Sequence, residues 1–544
     1  MLLERIEIAG FRGIKRLSIS FEQLTALIGE NTWGKSSLLD TLSVALPPDG
    51  EPYQFKLTDF HVDYSVSHPQ TQDLQIVISF LANDTKEVNS RRYRRIKPVW
   101  VTDSEDNHRI YYRLSASRDG HEIETHYDFL NADGDPLALH HCEKIAQELM
   151  SLHPVIRLKD SRRFERPPES NGTSVNERIE KRINNTCRRL MAIPGHVNKG
   201  EMRSSLKSMG MLVDHYFSFK SNARIEHKKP HSGIFYAGKS DSISITEYVE
   251  KSNNKQTRLL LLGLLNAYLQ AKGPNRLRRG ARPILIIEDP EGRLHPTQLA
   301  RAWGLLQMLP MQKILTTNSG SLLSQLPVHC IRRLVRQSDK TICTSLSTQG
   351  LSRDELRRVG FHIRFHRSGA LFARCWLLVE GETEVWLFNE LANQCGYNLA
   401  AEGVQIIEFA QSGLKSLLKV AKAFGIDWHV VTDGDPAGKK YAATVKARLG
   451  HDQERHRLTE LPDKDVEHFL YNNGFEPFFR ELVKIPLDHP IPAKKVVNKV
   501  LKKYAKPDLA LAIVSHCEDK GMECIPLLLR WTLKRVVTMA NGNT

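Results

Sequence analysis

The feature that most constrains the fold is a glycine-rich loop between an apolar run and a segment with helical spacing. The apolar run covers residues 24–28, the loop at residues 29–36 reads Gly-Glu-Asn-Thr-Trp-Gly-Lys-Ser, and the helical pattern continues to Leu46. Glycines in such a loop let backbone N–H groups turn toward phosphate, and the start of the helix adds its dipole. The pattern therefore predicts an α/β domain that binds a nucleoside triphosphate.

The loop also supplies side chains for a nucleotide and its metal ion. Lys35 would place a positive charge on the phosphates, and Ser36 would ligate Mg²⁺. The alternative is a chance glycine-rich turn, which the match at all eight positions and the strand–loop–helix context disfavour. The other residues of the predicted nucleotide site are Gly29, Asn31, Gly34 and Ser37.

A second strand pattern, about 250 residues later, would complete this site. The apolar run at residues 283–287 is followed by Glu288 and Asp289. An acid at the end of such a strand can reach the metal opposite Ser36, and the next acid can orient the attacking water. We predict Glu288 as a Mg²⁺ contact and Asp289 as the candidate base. A strand that simply ends in exposed acids is the alternative.

The wide gap between the two motifs resembles the ABC-type ATPases of the RecF and SMC group, in which two heads sandwich ATP. The resemblance implies a signature loop where this chain has residues 252–258, a stretch without the usual glycine. Asn318 stands where the group commonly has histidine, so it can hydrogen-bond phosphate but carries no charge. With aspartate at 289 in place of the usual glutamate, these departures support ATP binding better than turnover and predict slow or conditional hydrolysis.

The carboxyl-terminal half alternates strand and helix patterns. This alternation predicts a parallel sheet with crossover helices, and ligands of such sheets lie at the carboxyl ends of the strands. The predicted strands are 375–379, 404–409 and 428–432, and the predicted helices are 383–392, 414–424 and 437–449.

Acidic residues follow two of these strands. Glu380 and Asp433 each come directly after a strand, Glu384 lies one helical turn past Glu380, and Asp435 lies two residues past Asp433. Glu467 is a further candidate. Concentrated like charge is costly unless a cation neutralises it, and oxygen ligands suit Mg²⁺ or Mn²⁺. Two ions about 3.5–4 Å apart would clamp the attacking and leaving oxygens at phosphorus.

Glu380, Asp433 and Asp435 resemble the shared residues of the Toprim domain. The alternative interpretation is an unrelated doubly wound domain with acids on its surface. An ABC-type ATPase followed by Toprim resembles the OLD (overcoming lysogenisation defect) family of ATP-dependent nucleases over nearly the whole chain, and within it the YbjD group. The resemblance implies two-metal DNA cleavage by a homodimer held partly through the ATPase half. It also implies a late lysine that stabilises charge at the phosphate. Lys506 is our candidate, although neighbouring lysines could serve.

These patterns divide the 544-residue chain into three parts. We predict an ABC-type ATPase domain at residues 1–365, a Toprim domain at 370–480 and a carboxyl-terminal helical extension at 481–544. A helix-prone insertion at about 165–235 interrupts the first domain, and we hypothesise that it is a dimerisation arm. The fold class is therefore α/β with a helical insertion and a helical end.

The charge balance favours a polyanionic partner. Lys and Arg exceed Asp and Glu by 15, and the positive charge is concentrated in runs, which suits contacts to DNA phosphates. A basic surface kept for solubility is the alternative. The runs are residues 90–95, 157–163, 276–279, 494–495 and 502–503.

No apolar run reaches the roughly 20 residues that span a bilayer, so we expect a cytoplasmic protein without a membrane contact. The 8 cysteines form no Cys-x-x-Cys pair, which argues against zinc and disulfides.

The leading hypothesis is a metal-dependent DNA endonuclease whose activity ATP binding or hydrolysis regulates. The alternative is an ATP-gated DNA-binding clamp with an inactive Toprim domain. A topoisomerase or primase is a third class. It is disfavoured because no winged-helix pattern carries a nucleophilic tyrosine and no zinc module is present.

Overall fold

A computed structural model describes the chain at residues 1–63, 71–158, 277–347, 351–363 and 367–542, apart from positions 104, 121, 279, 293, 294, 308, 310, 362 and 411. The predicted insertion at about 165–235 and the loop at 252–258 lie outside the described residues. The chain divides into two compact units, one of residues 1–326 with 330–343, the other of residues 327–329 with 344–544. Within the described ranges, no helix is long and apolar enough to cross a membrane.

The first unit contains an antiparallel and a largely parallel sheet. Its strands are β1 (Leu2–Phe11), β2 (Ile14–Ser20), β3 (Leu24–Ile28), β4 (Asp73–Leu81), β5 (Val101–Thr102), β6 (His108–Asp119), β7 (Glu122–Leu130), β8 (Val155–Leu158), β9 (Ile284–Glu288), β10 (Lys313–Thr316), β11 (Ile331–Arg336) and β12 (Thr341–Ser345). Its helices are α1 (Lys35–Ala45), α2 (Thr85–Val88), α3 (Cys142–Leu152), α4 (Pro296–Gln307) and α5 (Gly320–Leu323).

The antiparallel sheet has the strand order β2-β1-β4-β6-β5, and β7 also pairs with β6. Alternation explains its single buried face, since Ile6 and Ile8 are in the core while Glu7 between them is exposed. This sheet, together with α1 and α3, forms one hydrophobic core that anchors the start of the chain.

The second sheet has the order β12-β11-β3-β10-β9-β8, with parallel pairing from β11 to β8. Its central strands are continuous apolar runs because both of their faces are covered. In register, Thr316 of β10 lies beside Leu27 of β3 and Glu288 of β9. The glycine-rich loop, the acids after β9 and Asn318 after β10 therefore leave the sheet at one edge.

The second unit is built on a parallel sheet of order β14-β13-β15-β16, which confirms the predicted fold class. Its strands are β13 (Cys375–Val379), β14 (Val404–Glu408), β15 (Asp427–Thr432) and β16 (Leu458–Glu460). Its helices are α6 (Arg353–Phe361), α7 (Glu382–Gln394), α8 (Leu414–Phe424), α9 (Pro436–Lys446), α10 (Glu454–Arg457), α11 (Val466–Leu470), α12 (Glu476–Leu482), α13 (Ala493–Lys503), α14 (Lys506–Lys520) and α15 (Leu527–Ala540).

The carboxyl-terminal helices complete the core of this unit. Phe388 and Leu391 of α7 are buried in one hydrophobic cluster with Ile513 of α14 and Leu533 of α15. The unit also includes α6, whose Glu355 lies 3.2 Å from Nζ of Lys419 on α8. The division of the chain thus falls near residue 344, about 20 residues before the predicted end of the first domain.

Candidate functional site

The glycine-rich loop connects β3 to α1 through backbone conformations that favour glycine. Gly29 has φ +145° and Gly34 has φ +93°, and a Cβ atom on Gly29 would lie 2.9 Å from the carbonyl oxygen of Leu334. The helix begins at Lys35, while Asn31 and Ser36 are exposed and Ser37 is half-buried. The residues predicted for the nucleotide site therefore lie in one loop and the start of its helix. The first N–H groups of a helix have no acceptor within the helix, which makes a helix start a common phosphate site.

Lys35 is buried and lies against the opposite side of the loop. Its ammonium group donates to the carbonyl oxygen of Gly29 and lies 3.3 Å from Oδ1 of Asn318. Burial lowers the pKa of Lys35, and the negative charges of Asp289, Glu291 and Glu30 oppose that shift. Lys35 and Asn318, predicted from motifs 283 positions apart, are thus in contact.

Asp289 and Glu291 follow β9 and approach this lysine. Asp289 has φ +40°, and its Oδ1 accepts a hydrogen bond of 3.0 Å from the hydroxyl of Thr316. Glu291 accepts a 2.6 Å hydrogen bond from the backbone N–H of Asn318 through Oε1. Its Oε2 is buried without a hydrogen-bond partner in the described part of the chain. The sequence analysis did not assign Glu291, although it is the third acid of the same short run.

Glu288 is held by an arginine. Nε and Nη2 of Arg157 donate to its two carboxylate oxygens at 2.8 and 3.0 Å, and Arg157 also contacts Asp40 of α1. Asp40 in turn accepts a 2.6 Å hydrogen bond from Arg12. The inclusion of Arg157 among the basic runs for DNA is a wrong prediction, because β8 directs this side chain to Glu288 and leaves only 11% of it exposed. The Mg²⁺ contact at Glu288 stays a prediction, and it requires Arg157 to share or release the carboxylate.

In the second unit, Glu380 and Asp433 follow the neighbouring parallel strands β13 and β15 and so lie on one edge of the sheet. Oε2 of Glu380 is buried without a hydrogen-bond partner among the described residues. Burial raises the pKa of Asp433 to about 8, and the charges of Glu384, Glu380, Asp465 and Glu467 add to the rise. The acids predicted from separate segments are therefore close enough to repel one another.

Glu384 and Asp435 each use one oxygen to hold the start of a helix. Oε2 of Glu384 accepts a 3.0 Å hydrogen bond from the backbone N–H of Gly381, and Oδ1 of Asp435 accepts one of 2.7 Å from Gly438. Burial raises the pKa of Glu380, and Asp435 and Glu384 add to that shift. Both carboxylates thus repel the charge of Glu380, and each also caps the start of a helix.

Two glycines allow the backbone around Asp433 to pack this closely. A Cβ atom on Gly434 would lie 2.4 Å from the carbonyl oxygen of Asp463, and one on Gly438 would lie 1.9 Å from that of Asp433. Neither position accepts a side chain without movement of the backbone. The spacing Asp-Gly-Asp-x-x-Gly was a sequence signal for this close approach, and the sequence analysis did not use it.

Glu467 and Lys506 form an ion pair beside these acids. Nζ of Lys506 lies 3.3 Å from Oε1 of Glu467, and Oε2 of Glu467 is buried without a hydrogen-bond partner in the described structure. Burial raises the pKa of Glu467, and Lys506 opposes the shift. Burial disfavours the charged form of Lys506, yet the charges of Glu467, Glu384 and Asp465 raise its pKa overall. Lys506 is therefore a cation held within an acidic cluster.

Asp465 is a residue that the sequence analysis did not select. It caps α11, and its Oδ1 accepts hydrogen bonds from the backbone N–H and Nδ1 of His468 at 2.9 and 2.6 Å. Burial alone would raise the pKa of Asp465, but the hydrogen bonds from His468 lower it overall. Asp465 therefore carries a negative charge next to Glu467 while it serves as a helix cap.

The donor set fits hard divalent cations. It consists of carboxylates, two of which have a buried oxygen without a donor, and no arginine pairs with Glu380, Glu384, Asp433 or Asp435 in the described part of the chain. Among the described residues, no three acidic, histidine or cysteine side chains already converge on one point for an ion. Metal binding at these acids therefore requires side-chain rotation, which would bring the predicted ligands together.

Comparison with known proteins relates both halves of the chain to described families. Residues 1–370 match the family described as "Protein of unknown function (DUF2813)", and residues 371–435 match "Overcoming lysogenization defect protein-like, TOPRIM domain". The chain is 43% identical over 552 aligned positions, covering 100% of both proteins, to "Uncharacterized protein YbjD" of Escherichia coli (strain K12). It is 22% identical to "OLD nuclease" of Thermus scotoductus, covering 83% of this chain and 86% of that one.

Two solved structures show weaker likeness. The carboxyl-terminal region of the Xanthomonas campestris OLD protein matches with a TM-score of 0.26 and 13% identity, covering 31% of this chain and 95% of that one. The SMC head domain from Thermotoga maritima matches with a TM-score of 0.31 and 12% identity, covering 64% of this chain and 100% of that one.

Proposed function

The chain belongs to the family described as DUF2813, whose model matches residues 1–370, and an OLD-like Toprim domain follows at residues 371–435. We propose that it is an ATP-binding, divalent-metal-dependent DNA endonuclease. The observation that carries this proposal is the acidic edge of the second unit. Glu380 and Asp433 lie there at the ends of neighbouring strands, and the pKa of Asp433 is raised to about 8. A carboxylate cluster of this kind destabilises the fold unless a cation neutralises it.

The proposed metal ligands are Glu380, Glu384, Asp433, Asp435 and Glu467. Bound Mg²⁺ or Mn²⁺ would polarise a phosphodiester and lower the pKa of a water molecule for attack at phosphorus. Helix capping would hold one oxygen of Glu384 and one of Asp435 in place, while rotation of the other carboxylates would bring their oxygens to the ions.

Lys506 has a separate role in this proposal. Its ammonium group lies 3.3 Å from Glu467 and remains charged at neutral pH, since neighbouring acids raise its pKa. Its side chain is 54% exposed, so the charge is accessible from solvent. We infer that Lys506 contacts the phosphate at which DNA is cut and stabilises the negative charge that develops there.

The nucleotide half would act as a regulator. Lys35, Ser36 and the loop glycines would bind ATP, Glu288 or Asp289 would hold its Mg²⁺ or the attacking water, and Asn318 would contact phosphate. Support comes from the loop geometry and from the contact between Lys35 and Asn318. We further propose that the chain works as a homodimer in the cytoplasm, with nucleotide binding coupled to assembly or DNA access.

The test is cleavage of supercoiled plasmid with Mg²⁺, Mn²⁺ or Ca²⁺, with and without ATP. With Mg²⁺ or Mn²⁺ we expect nicked or linear product from the wild-type protein. The matched control is Glu382→Gln, which changes an exposed acid beside the site and should also cut. We expect no product from Glu380→Gln or Asp433→Asn. If those variants bind DNA but the wild-type protein never cuts it, the inactive-clamp alternative replaces this proposal. Lys35→Ala then reports whether cutting requires bound ATP.

A further inference from the structure

Helix α13 has one apolar and one basic face. Val496, Val497 and Val500 are buried in the core of the second unit. Lys495, Lys499 and Lys502 are exposed on the other side and follow the spacing i, i+4, i+7, so they form a line along the helix. We name these three residues the lysine stripe.

Among the described residues, the lysine stripe has no acidic partner. None of its members forms an ion pair within the described chain, and α13 contains no acidic residue. Like charges at i, i+4 repel each other by a few tenths of a kcal/mol in a helix, and a lysine near the amino end also opposes the helix dipole. By contrast, Lys503 in the next position donates to the carbonyl oxygen of Leu482 at 2.7 Å. The stripe is therefore an uncompensated positive charge.

The helix that carries the stripe adjoins the acidic cluster in the same unit. Helix α13 packs against α11, which carries Glu467. Lys506, the partner of Glu467, begins the next helix only three positions after α13 ends. From Lys495 to Lys502 the stripe is about 10 Å long, the rise of about three nucleotides along one strand of a duplex. The helix of the stripe therefore contacts the helix of Glu467 and precedes the helix of Lys506 along the chain.

Resting on the nuclease function proposed above, we propose that the lysine stripe binds the phosphate backbone of duplex DNA beside the scissile phosphate. The contact would be independent of base sequence, since lysine ammonium groups act as point charges on phosphate and do not read base edges here. It would position the duplex so that one phosphate reaches Lys506 and the carboxylates. A solvated surface without a ligand is the competing explanation, and it predicts no change in DNA affinity when the stripe is neutralised.

The experiment measures binding of a fluorescent duplex of about 30 base pairs by full-length protein in Ca²⁺ between about 50 and 200 mM salt. The test variant is the triple Lys495→Gln, Lys499→Gln, Lys502→Gln. The charge-matched control is the triple Lys422→Gln, Lys520→Gln, Lys534→Gln, whose side chains are exposed elsewhere in the same unit. A third protein carries arginine at the three stripe positions.

We expect the test variant to bind DNA about 10- to 100-fold more weakly at low salt. The slope of the logarithm of the binding constant against the logarithm of the salt concentration should become shallower by about 2 to 3. The control and the arginine protein should bind like wild type. Because the side chains are exposed, thermal unfolding should be unchanged. An affinity and slope equal to those of wild type would overturn the proposal.

Cleavage separates this proposal from the nuclease function. If the wild-type protein does not cut DNA but the test variant binds DNA more weakly and with a smaller salt dependence, the stripe is a DNA contact and the nuclease proposal fails. If the wild-type protein cuts and the test variant binds and cuts equally well at all salt concentrations, the stripe proposal fails alone. With both correct, KM for plasmid rises in the test variant while kcat changes little.

Discussion

Nζ of Lys506 lies 3.3 Å from Oε1 of Glu467, a carboxylate whose other oxygen is buried without a hydrogen-bond donor in the described structure. This pair joins the helical end of the chain to the acids that follow the parallel strands. It also places a positive charge beside a carboxylate that we propose as a metal ligand.

Replacing Lys506 with methionine should abolish most cleavage without weakening metal binding. The methionine retains apolar bulk but removes the charge, so we expect cleavage to fall by about 10²-fold or more. Mn²⁺ should bind as tightly or more tightly, since the acids lose a competing cation. Calorimetry with Mn²⁺ and single-turnover cleavage measure the two effects. Lys494→Met on the neighbouring helix is the control, and parallel loss of metal binding and cleavage would contradict the assigned role.

Asp433→Asn should stabilise the metal-free protein at high pH. The folded pKa of Asp433 is about 8 and the unfolded value is near 3.8, so the folded state holds an extra proton between these values. The stability contributed by the protonated form is complete below about pH 4 and is lost as the pH rises through 8. After discounting for partial exposure, we expect a gain of about 1–3 kcal/mol at pH 9 and none at pH 4.

Thermal melts in EDTA at the two pH values test that expectation. Glu382→Gln is the exposed control and should show no pH-dependent gain. A metal-free Asp433→Asn protein no more stable than wild type at pH 9 would show that the acids do not strain the fold.

Metal affinity should rise with pH in the wild-type protein. Raised pKa values at Asp433 and Glu380 mean that a metal ion must displace protons below about pH 8. Calorimetry with Mn²⁺ in buffers of different ionisation enthalpy should detect protons released at pH 6.5 and fewer at pH 8.5. Affinity that is constant across this range would contradict the electrostatic description of the site.

Arg157→Ala should destabilise the first unit. It leaves Glu288 and Asp40 without the guanidinium that both contact, and breaking a largely buried pair costs about 2–4 kcal/mol. Adding Glu288→Gln to that variant should recover part of the loss, because one unpaired charge is then absent. Urea unfolding of the wild-type protein, the two single variants and the double variant measures these free energies. Arg95→Ala removes an exposed arginine whose partner Glu148 keeps its contact with Arg278, so this change should cost less than about 1 kcal/mol.

Glu291→Gln should impair ATP hydrolysis more than ATP binding. Its Oε2 is buried without a donor among the described residues, and its charge acts on Lys35, so we infer that it orients water or Mg²⁺ at the phosphates. We expect turnover to fall by about tenfold or more with nucleotide affinity changed little. A fluorescent ATP analogue and phosphate release measure these quantities. Glu51→Gln, an exposed acid outside the site, is the control, and unchanged turnover would exclude Glu291 from the chemistry.

The sequence predicted the sheet of the second unit well because its strands are apolar runs with acids at their ends. β13 matches the prediction, and β14 and β15 differ by one residue at one end. β16 was not predicted, because three residues, Leu458 to Glu460, carry too little periodicity to identify a strand. Glu380 and Asp433 could be placed on one edge because parallel strands share it.

Contacts between distant segments were beyond the sequence patterns. Arg157 belongs to a basic run, and only the pairing of β8 with β9 shows that it binds Glu288. Likewise, the packing of α13 against α11 and of α14 against α7 brings Lys506 to Glu467. Such contacts depend on tertiary packing and not on local propensity.

The most direct test of the central claim is a crystal structure of the full-length protein soaked with Mn²⁺ at pH 8, with anomalous scattering to locate the ions. We expect one or two peaks between the carboxylates of Glu380 and Asp433, with oxygen distances of about 2.1 Å. The same experiment on Glu380→Gln should lose at least one peak. Occupied Mn²⁺ sites elsewhere with these acids left apart, or an unchanged pattern in the variant, would contradict the claim that this acidic edge is a metal centre for DNA cleavage.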